Sequence, residues 1–379
     1  MSLLGRAFVM CCASVAFPLI LSCSSSGDAG GTSGGGGAGG GTGGTGAAGQ
    51  GGSGGGTTLK CEEPAQLDMT GTWAIFLQYS IALQKQEGGA ITMCPEDQPA
   101  SSTMYLLLDI TQTGTSITAK PINCTLTLPA VTGLVGTCDP QADNLVTVAI
   151  LAPQTLVDSM PDIAMAPAAG TLSAAATGAT LSMTDRLMFL TGATKGGDDL
   201  PKWVDTNAGC GANDTSGRDG QCVSTCVTDC TALADSDADQ KVGVTFNVCG
   251  TTKEDVASKV KCNPDDPSSA GTTIQGKAYL DFQTDPKLTG TVKSSCEASG
   301  TYDATTIYHM VGANLYLANT QISVASSIKS LPTYLISPTK SVFHMIRVDG
   351  KYGAADWKTD LSDRRGACKI AIQHQNDVM

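Results

Sequence analysis

The stretch Gly71–Leu83, GTWAIFLQYSIAL, decides the fold class. Trp73, Ile75, Leu77, Tyr79, Ile81 and Leu83 share one parity, and a period of two is the side-chain spacing of a strand. The period returns at Leu106, Leu108 and Ile110, breaks at the turn-like Thr113-Gly114-Thr115, and resumes at Ile117. It recurs at Val242, Val244, Phe246 and Val248. It recurs again at Ile274, Ala278, Leu280 and Phe282, where Gln275, Lys277 and Asp281 take the opposite face. Gly, Pro, Asp and Asn clusters separate these runs, as turns between half-buried antiparallel strands require. The Ala/Gly/Thr-rich stretch from Ala164 to Met183 suits a hairpin. The expectation is an all-β body: an antiparallel barrel or sandwich, built as two packed β subdomains and stapled by disulfides.

Composition narrows the partners. The 379 residues carry 23 Lys and Arg against 35 Asp and Glu, a formal charge of −12, with no basic run. That balance argues against nucleic acid and against an anionic membrane surface. From residue 59 onward about 320 residues remain, more than one core usually fills. Residues 192–221, rich in Gly, Asp and Asn, supply the expected boundary between a β subdomain over 59–200 with the Gly-Thr-Trp strand and a Cys-rich one over 201–379.

The first 22 residues read as an export signal, with Arg6 in the n-region and a short apolar core from Ala7 to Leu21. Its end, Ile20-Leu21-Ser22-Cys23, resembles the lipobox of bacterial lipoproteins. The resemblance implies cleavage before Cys23, acylation of that residue, and, with Ser24 following, the outer membrane. From Ser24 to Thr58, 19 of 35 residues are Gly. Such a segment cannot bury enough apolar surface to order itself and is expected to act as a tether of ~30–35 Å. Residues 23–58 are therefore expected to be a lipid-anchored linker. The two GxSxG matches inside it follow from composition, since neither is framed by a strand and a helix.

Leu67-Asp68-Met69-Thr70-Gly71-Thr72-Trp73 resembles the Gly-x-Trp first strand of lipocalin-like barrels, and Leu108–Gly114 resembles a later hairpin of that group. The whole arrangement is similar to uncharacterised exported lipoproteins of the myxobacterial type. What the first resemblance implies is a β-barrel whose mouth holds a small apolar ligand.

Cysteine carries the strongest chemical signal. Cys11 and Cys12 leave with the signal and Cys23 is the lipid site. Twelve remain as disulfide candidates: Cys61, Cys94, Cys124, Cys138, Cys210, Cys222, Cys226, Cys230, Cys249, Cys262, Cys296 and Cys368. Four precede residue 200 and eight follow it. Cys222, Cys226 and Cys230 recur every four residues, so a helical turn would present them on one face, each to a separate partner. A zinc site from these three with Cys210 is the rival reading, but the CxxC pairs of structural zinc are absent.

Asp235, Asp237 and Asp239 occupy positions 1, 3 and 5 of a calcium loop. Position 6 is Gln240 instead of Gly and position 12 is Phe246 instead of Glu, which excludes a proper EF-hand. Carbonyls and water could complete a weak calcium site. The expectation is a solvated acidic turn, for which millimolar calcium leaves the melting temperature unchanged. His309, His344 and His374 each share parity with apolar neighbours, so three adjacent strands could bring their imidazoles together around a metal; separate buried histidines are the commoner outcome. Adjacent acids such as Glu62-Glu63 and Asp198-Asp199 point apart on an extended chain and make no dyad. No catalytic motif is visible. The functional expectation is a non-enzymatic envelope lipoprotein, either a binding module for an apolar ligand or envelope component, or a solid structural one. An envelope-polymer hydrolase with carboxylates assembled from distant positions is the alternative.

Overall fold

The computed structural model of the chain describes residues 61–84, 92–93, 97–128, 131–134, 145–207, 209–211, 214–252, 274–317, 319–329, 331 and 333–378. The expected export signal and lipid-anchored linker, with Cys23, lie outside these residues, as do Cys94, Cys138 and Cys262.

Eight antiparallel strands close into a barrel and follow one another around it in chain order. They are β1 (Gly71–Gln84), β3 (Asp97–Thr113), β4 (Ser116–Thr127), β7 (Ala168–Leu172), β8 (Thr180–Met183), β12 (Lys287–Ser294), β13 (Glu297–Asp303) and β17 (Val342–Arg347), whose outer edge returns to β1. A second antiparallel sheet runs in the order β15 (Thr320–Gln321), β14 (Thr306–Leu317), β11 (Ile274–Thr284), β10 (Val244–Thr252), β6 (Leu145–Leu151), β5 (Val131–Leu134) and β2 (Thr92–Met93), with β9 (Phe189–Thr191) on β11. The last strand, β16 (Thr333–Ile336), lies end to end with β17 along β1.

The two ends of the barrel are built differently. At one end the connections are short: Gly114-Thr115, residues 173–179, and Ser295-Cys296. At the other end all four connections are long, and together they supply every strand of the second sheet. Only Pro286 and its neighbour separate β11 from β12, and two residues separate β13 from β14, so one two-stranded ribbon passes from the second sheet into the barrel. The boundary expected near residue 200 separates neither sheet, since each takes strands from both sides of it. From Thr57 to Met379 the chain forms one compact unit.

The alternation read in β1 has the predicted consequence. Trp73, Ile75, Leu77, Tyr79 and Ile81 face the interior with Met104, Leu106, Leu108 and Ile110 of β3. The same cluster continues through Phe343, Met345 and Tyr302 to Val244, Phe246, Val248, Leu280 and Phe282 of the second sheet. Barrel and second sheet thus share one core, in which each fully buried large apolar side chain contributes about 1.5–3 kcal/mol.

Outward-facing Ala74, Tyr105, Leu107, Ile122 and Ile346 are covered by the C-terminal helix α1 (Arg364–Gln373) through Ala367, Cys368 and Ala371. Asp363 starts that helix by accepting a hydrogen bond from Gly366 N–H at 3.0 Å. Ile370, Ile372 and His374, which share parity in sequence, therefore sit on this helix and its C-cap and not on a strand. A three-residue window cannot distinguish the two periods.

β11 also departs from the half-buried expectation. Both of its faces are buried, with Gln275 2 % exposed and Asp281 0 % exposed. The long segment between β9 and β10 lies over its outer face, packing Val227, Trp203 and Leu233 on Tyr279 and Val311.

Candidate functional site

The cysteines divide between two tasks. Cys61–Cys296 ties the segment leading into β1 to the β12–β13 turn, and Cys124–Cys368 ties α1 to β4, with Cα atoms 6.2 and 5.0 Å apart. Cys210–Cys226 and Cys222–Cys230 staple the segment that covers β11. Cys249 is disulfide-bonded as well. No single helix runs through Cys222, Cys226 and Cys230, since only Cys230 opens a short 3-10 helix (Cys230–Ala232), and Cys222 and Cys230 pair with each other, not with separate partners. The four sulfurs of the zinc reading are all committed to these two bridges.

The histidines do not converge. His309 lies on β14 and its Nδ1 is 3.0 Å from the Pro201 carbonyl, whereas His344 on β17 sits between Val378 O and Glu297. His374 stacks on Trp357 and meets Asp377. Among the described residues no group of three metal-capable ligands includes a histidine.

One buried acid–imidazole contact was not legible in the sequence. Asp281 Oδ1 accepts the His309 backbone N–H at 3.0 Å and lies 3.6 Å from His309 Nδ1, while Oδ2 has no hydrogen-bond partner. Burial pushes the Asp281 carboxyl up to about 8, against its backbone hydrogen bonds. Burial likewise lowers His309. Near neutral pH both groups are held neutral, so they form no ion pair. Asn123, fully buried on β4, also leaves both amide atoms without partners.

The acidic turn brings three carboxylates together. One oxygen from each of Asp235, Asp237 and Asp239 lies within 4.8 Å of the others. Asp235 accepts the N–H groups of Asp239 and Gln240 at 3.1 and 2.9 Å, which curls the loop back on itself. Ala238 and Gln240 take positive φ, 57° and 67°, to allow it. Thr245 donates its N–H to Asp237 Oδ2 at 3.0 Å and its hydroxyl to Asp239 Oδ2 at 2.5 Å. The turn is solvated only in part: Asp235 is exposed and Asp239 half-buried, whereas Asp237 is 4 % exposed. Burial pushes its carboxyl up to about 6; the Thr245 N–H opposes this, and Asp239 and Asp235 add to it.

Among the described residues, two spaces bear on ligand binding. Where the barrel meets the second sheet, a cavity of about 10 Å³ remains between Tyr79, Ser102, Leu126, Phe282 and Tyr334, room for about one water. Outside, an open groove of about 480 Å³ runs past Asp162, Met188, Leu190, Ser236, Ala238 and Arg365. Arg365 pairs with Asp162 at its rim. No protein-family model, no curated protein and no solved structure matches the chain.

Proposed function

We propose that this chain is an envelope lipoprotein, anchored in the outer membrane through acylated Cys23, whose folded body is a non-enzymatic structural module. The observation that carries the reading is the packed interior among the described residues: buried side chains of barrel and second sheet form one core, and the cavity where the two meet is about 10 Å³. Ligand pockets run to hundreds of cubic ångströms. Eight strands in chain order, the Gly71-x-Trp73 start and a helix on the outer wall support a lipocalin-like barrel. In this one the apolar side chains stand where a ligand would sit. Binding of an envelope component falls to the outer surface, where the 480 Å³ groove is the candidate contact.

The test is metabolic labelling with a palmitate analogue in an expressing bacterium, comparing the natural chain with Cys23→Ser. The expected result is label and membrane fractionation for the first and neither for the second. Equal recovery of both chains, unlabelled and soluble, removes the anchor. Stoichiometric uptake of a fluorescent fatty acid by the folded body removes the solid module.

A further inference from the structure

We infer that the turn Asp235–Asp239 is a calcium site, with the carboxylates of Asp235, Asp237 and Asp239 as its protein ligands. Three anionic groups are brought within 4.8 Å of one another, and among the described residues none of them forms an ion pair. Gathering like charges this closely is unfavourable unless a cation lies between them.

The middle carboxylate supplies the independent observation. Asp237 is 96 % removed from solvent, its Oδ2 takes the Thr245 N–H, and its Oδ1 is closed off from water without a hydrogen-bond donor. A buried carboxylate oxygen left unmatched is costly, and native chains rarely retain one without a partner. A cation coordinated by Oδ1 supplies that partner.

The donor set selects the cation. All donors are oxygens on a short loop, which suits a hard divalent ion with tolerant geometry and excludes soft metals. Calcium accepts six to eight oxygens, so backbone carbonyls and water complete the shell. The absence of Gly at position 6 does not prevent the turn, since Gln240 adopts the left-handed conformation at φ 67°. The missing Glu at position 12 does limit affinity, placing Kd at ~0.1–1 mM, the range of extracellular calcium modules. Thr245, at the start of β10, fixes two of the ligands by hydrogen bonds, so binding braces the junction between the acidic turn and the second sheet.

Equilibrium dialysis of the disulfide-intact full chain against radiolabelled calcium tests this, with thermal melting in ~10 mM calcium and in chelator alongside. The expected result is one ion per chain and a rise in melting temperature of about 2–5 °C. Asp237→Asn weakens binding at least about tenfold and removes the rise. Because Asp237 is buried, Asp235→Asn at an exposed position is the second variant; it should melt like the natural chain in chelator and still lose calcium. Three results overturn the site: no saturation by ~10 mM, unchanged affinity in both variants, or an equal melting shift from magnesium.

Discussion

Single residues at the short-turn end of the barrel show how local chemistry fixes the closure. Arg347 is fully buried and its guanidinium carbon lies 5.0 Å from the Trp73 ring centroid and 5.1 Å from that of Tyr352. It donates to Ser295 O at 2.9 Å, Thr70 O at 3.0 Å and Asp68 O, and pairs with Asp349 at 3.4 Å. One side chain thereby joins the entry segment, the β12–β13 turn and the end of β17. Gly71 is required beside it: its φ is +145°, and a Cβ there would stand 1.8 Å from Asp349 Oδ2. Gly-x-Trp was legible in sequence, whereas its partner Arg347, 274 positions after Trp73, was not. Asp281 carries a prediction at this scale. Its folded-state carboxyl titrates near 8, above the ordinary value, so the folded chain holds a proton that the unfolded chain has released. Stability therefore falls as pH rises towards 8. Between pH ~6.5 and 8 Asp237, near 6, adds only a small further loss at the lower end, and the lowered His309 opposes it slightly there, because the unfolded imidazole is still releasing its proton. Melting curves should show a loss of at most about 2 kcal/mol across that interval, and Asp281→Asn should flatten it. A variant with the natural slope would place the proton elsewhere.

Elements were legible where one face alone decided the pattern. β1, β3 and β10 alternate because one parity packs inward, and Thr113-Gly114-Thr115 forms the β3–β4 turn with Gly114 at φ +61°. Legibility failed where a second layer lies on the outer face. The Asp281 face of β11 reads as solvent-facing because the segment that covers it is remote in sequence. Helix α1 was hidden for a related reason: its contact face is made of Ala367, Cys368 and Ala371, too small to mark a helical stripe. Small residues let the helix approach the barrel but bury little area, so the Cys124–Cys368 bridge should carry much of its docking. The paired substitution Cys124→Ala with Cys368→Ala is expected to lower stability by about 2–5 kcal/mol. Amide exchange should accelerate over residues 364–378 ahead of the barrel strands. Unchanged exchange in the helix would show that Trp357, Val378 and the alanines hold it by packing alone.

At the scale of the whole molecule, the connectivity makes the two sheets inseparable. The even cysteine counts on either side of residue 200, four and eight, fitted a boundary between two β subdomains there. The bridges Cys61–Cys296 and Cys124–Cys368 both cross that point, and even counts in each half arise by chance as readily as by pairing. Strand closure follows the same logic: β1, β3, β4, β7 and β8 precede residue 200, and β12, β13 and β17 follow it. Pairing of β1 with β17 joins positions about 270 residues apart, for example Trp73 with Arg347. No local pattern encodes such a contact, and its loop-closure cost must be met by the core. A chain divided at residue 200 would leave five barrel strands with two open edges in one piece and three in the other. Each piece would expose half of the common core. Separately produced, 59–200 and 201–379 should each lack a cooperative thermal transition and near-ultraviolet dichroism, while the intact body melts in one calorimetric step. A sharp independent transition in either half, or two resolved steps in the intact chain, would mean that barrel and second sheet fold as separate units despite the ribbon that joins them.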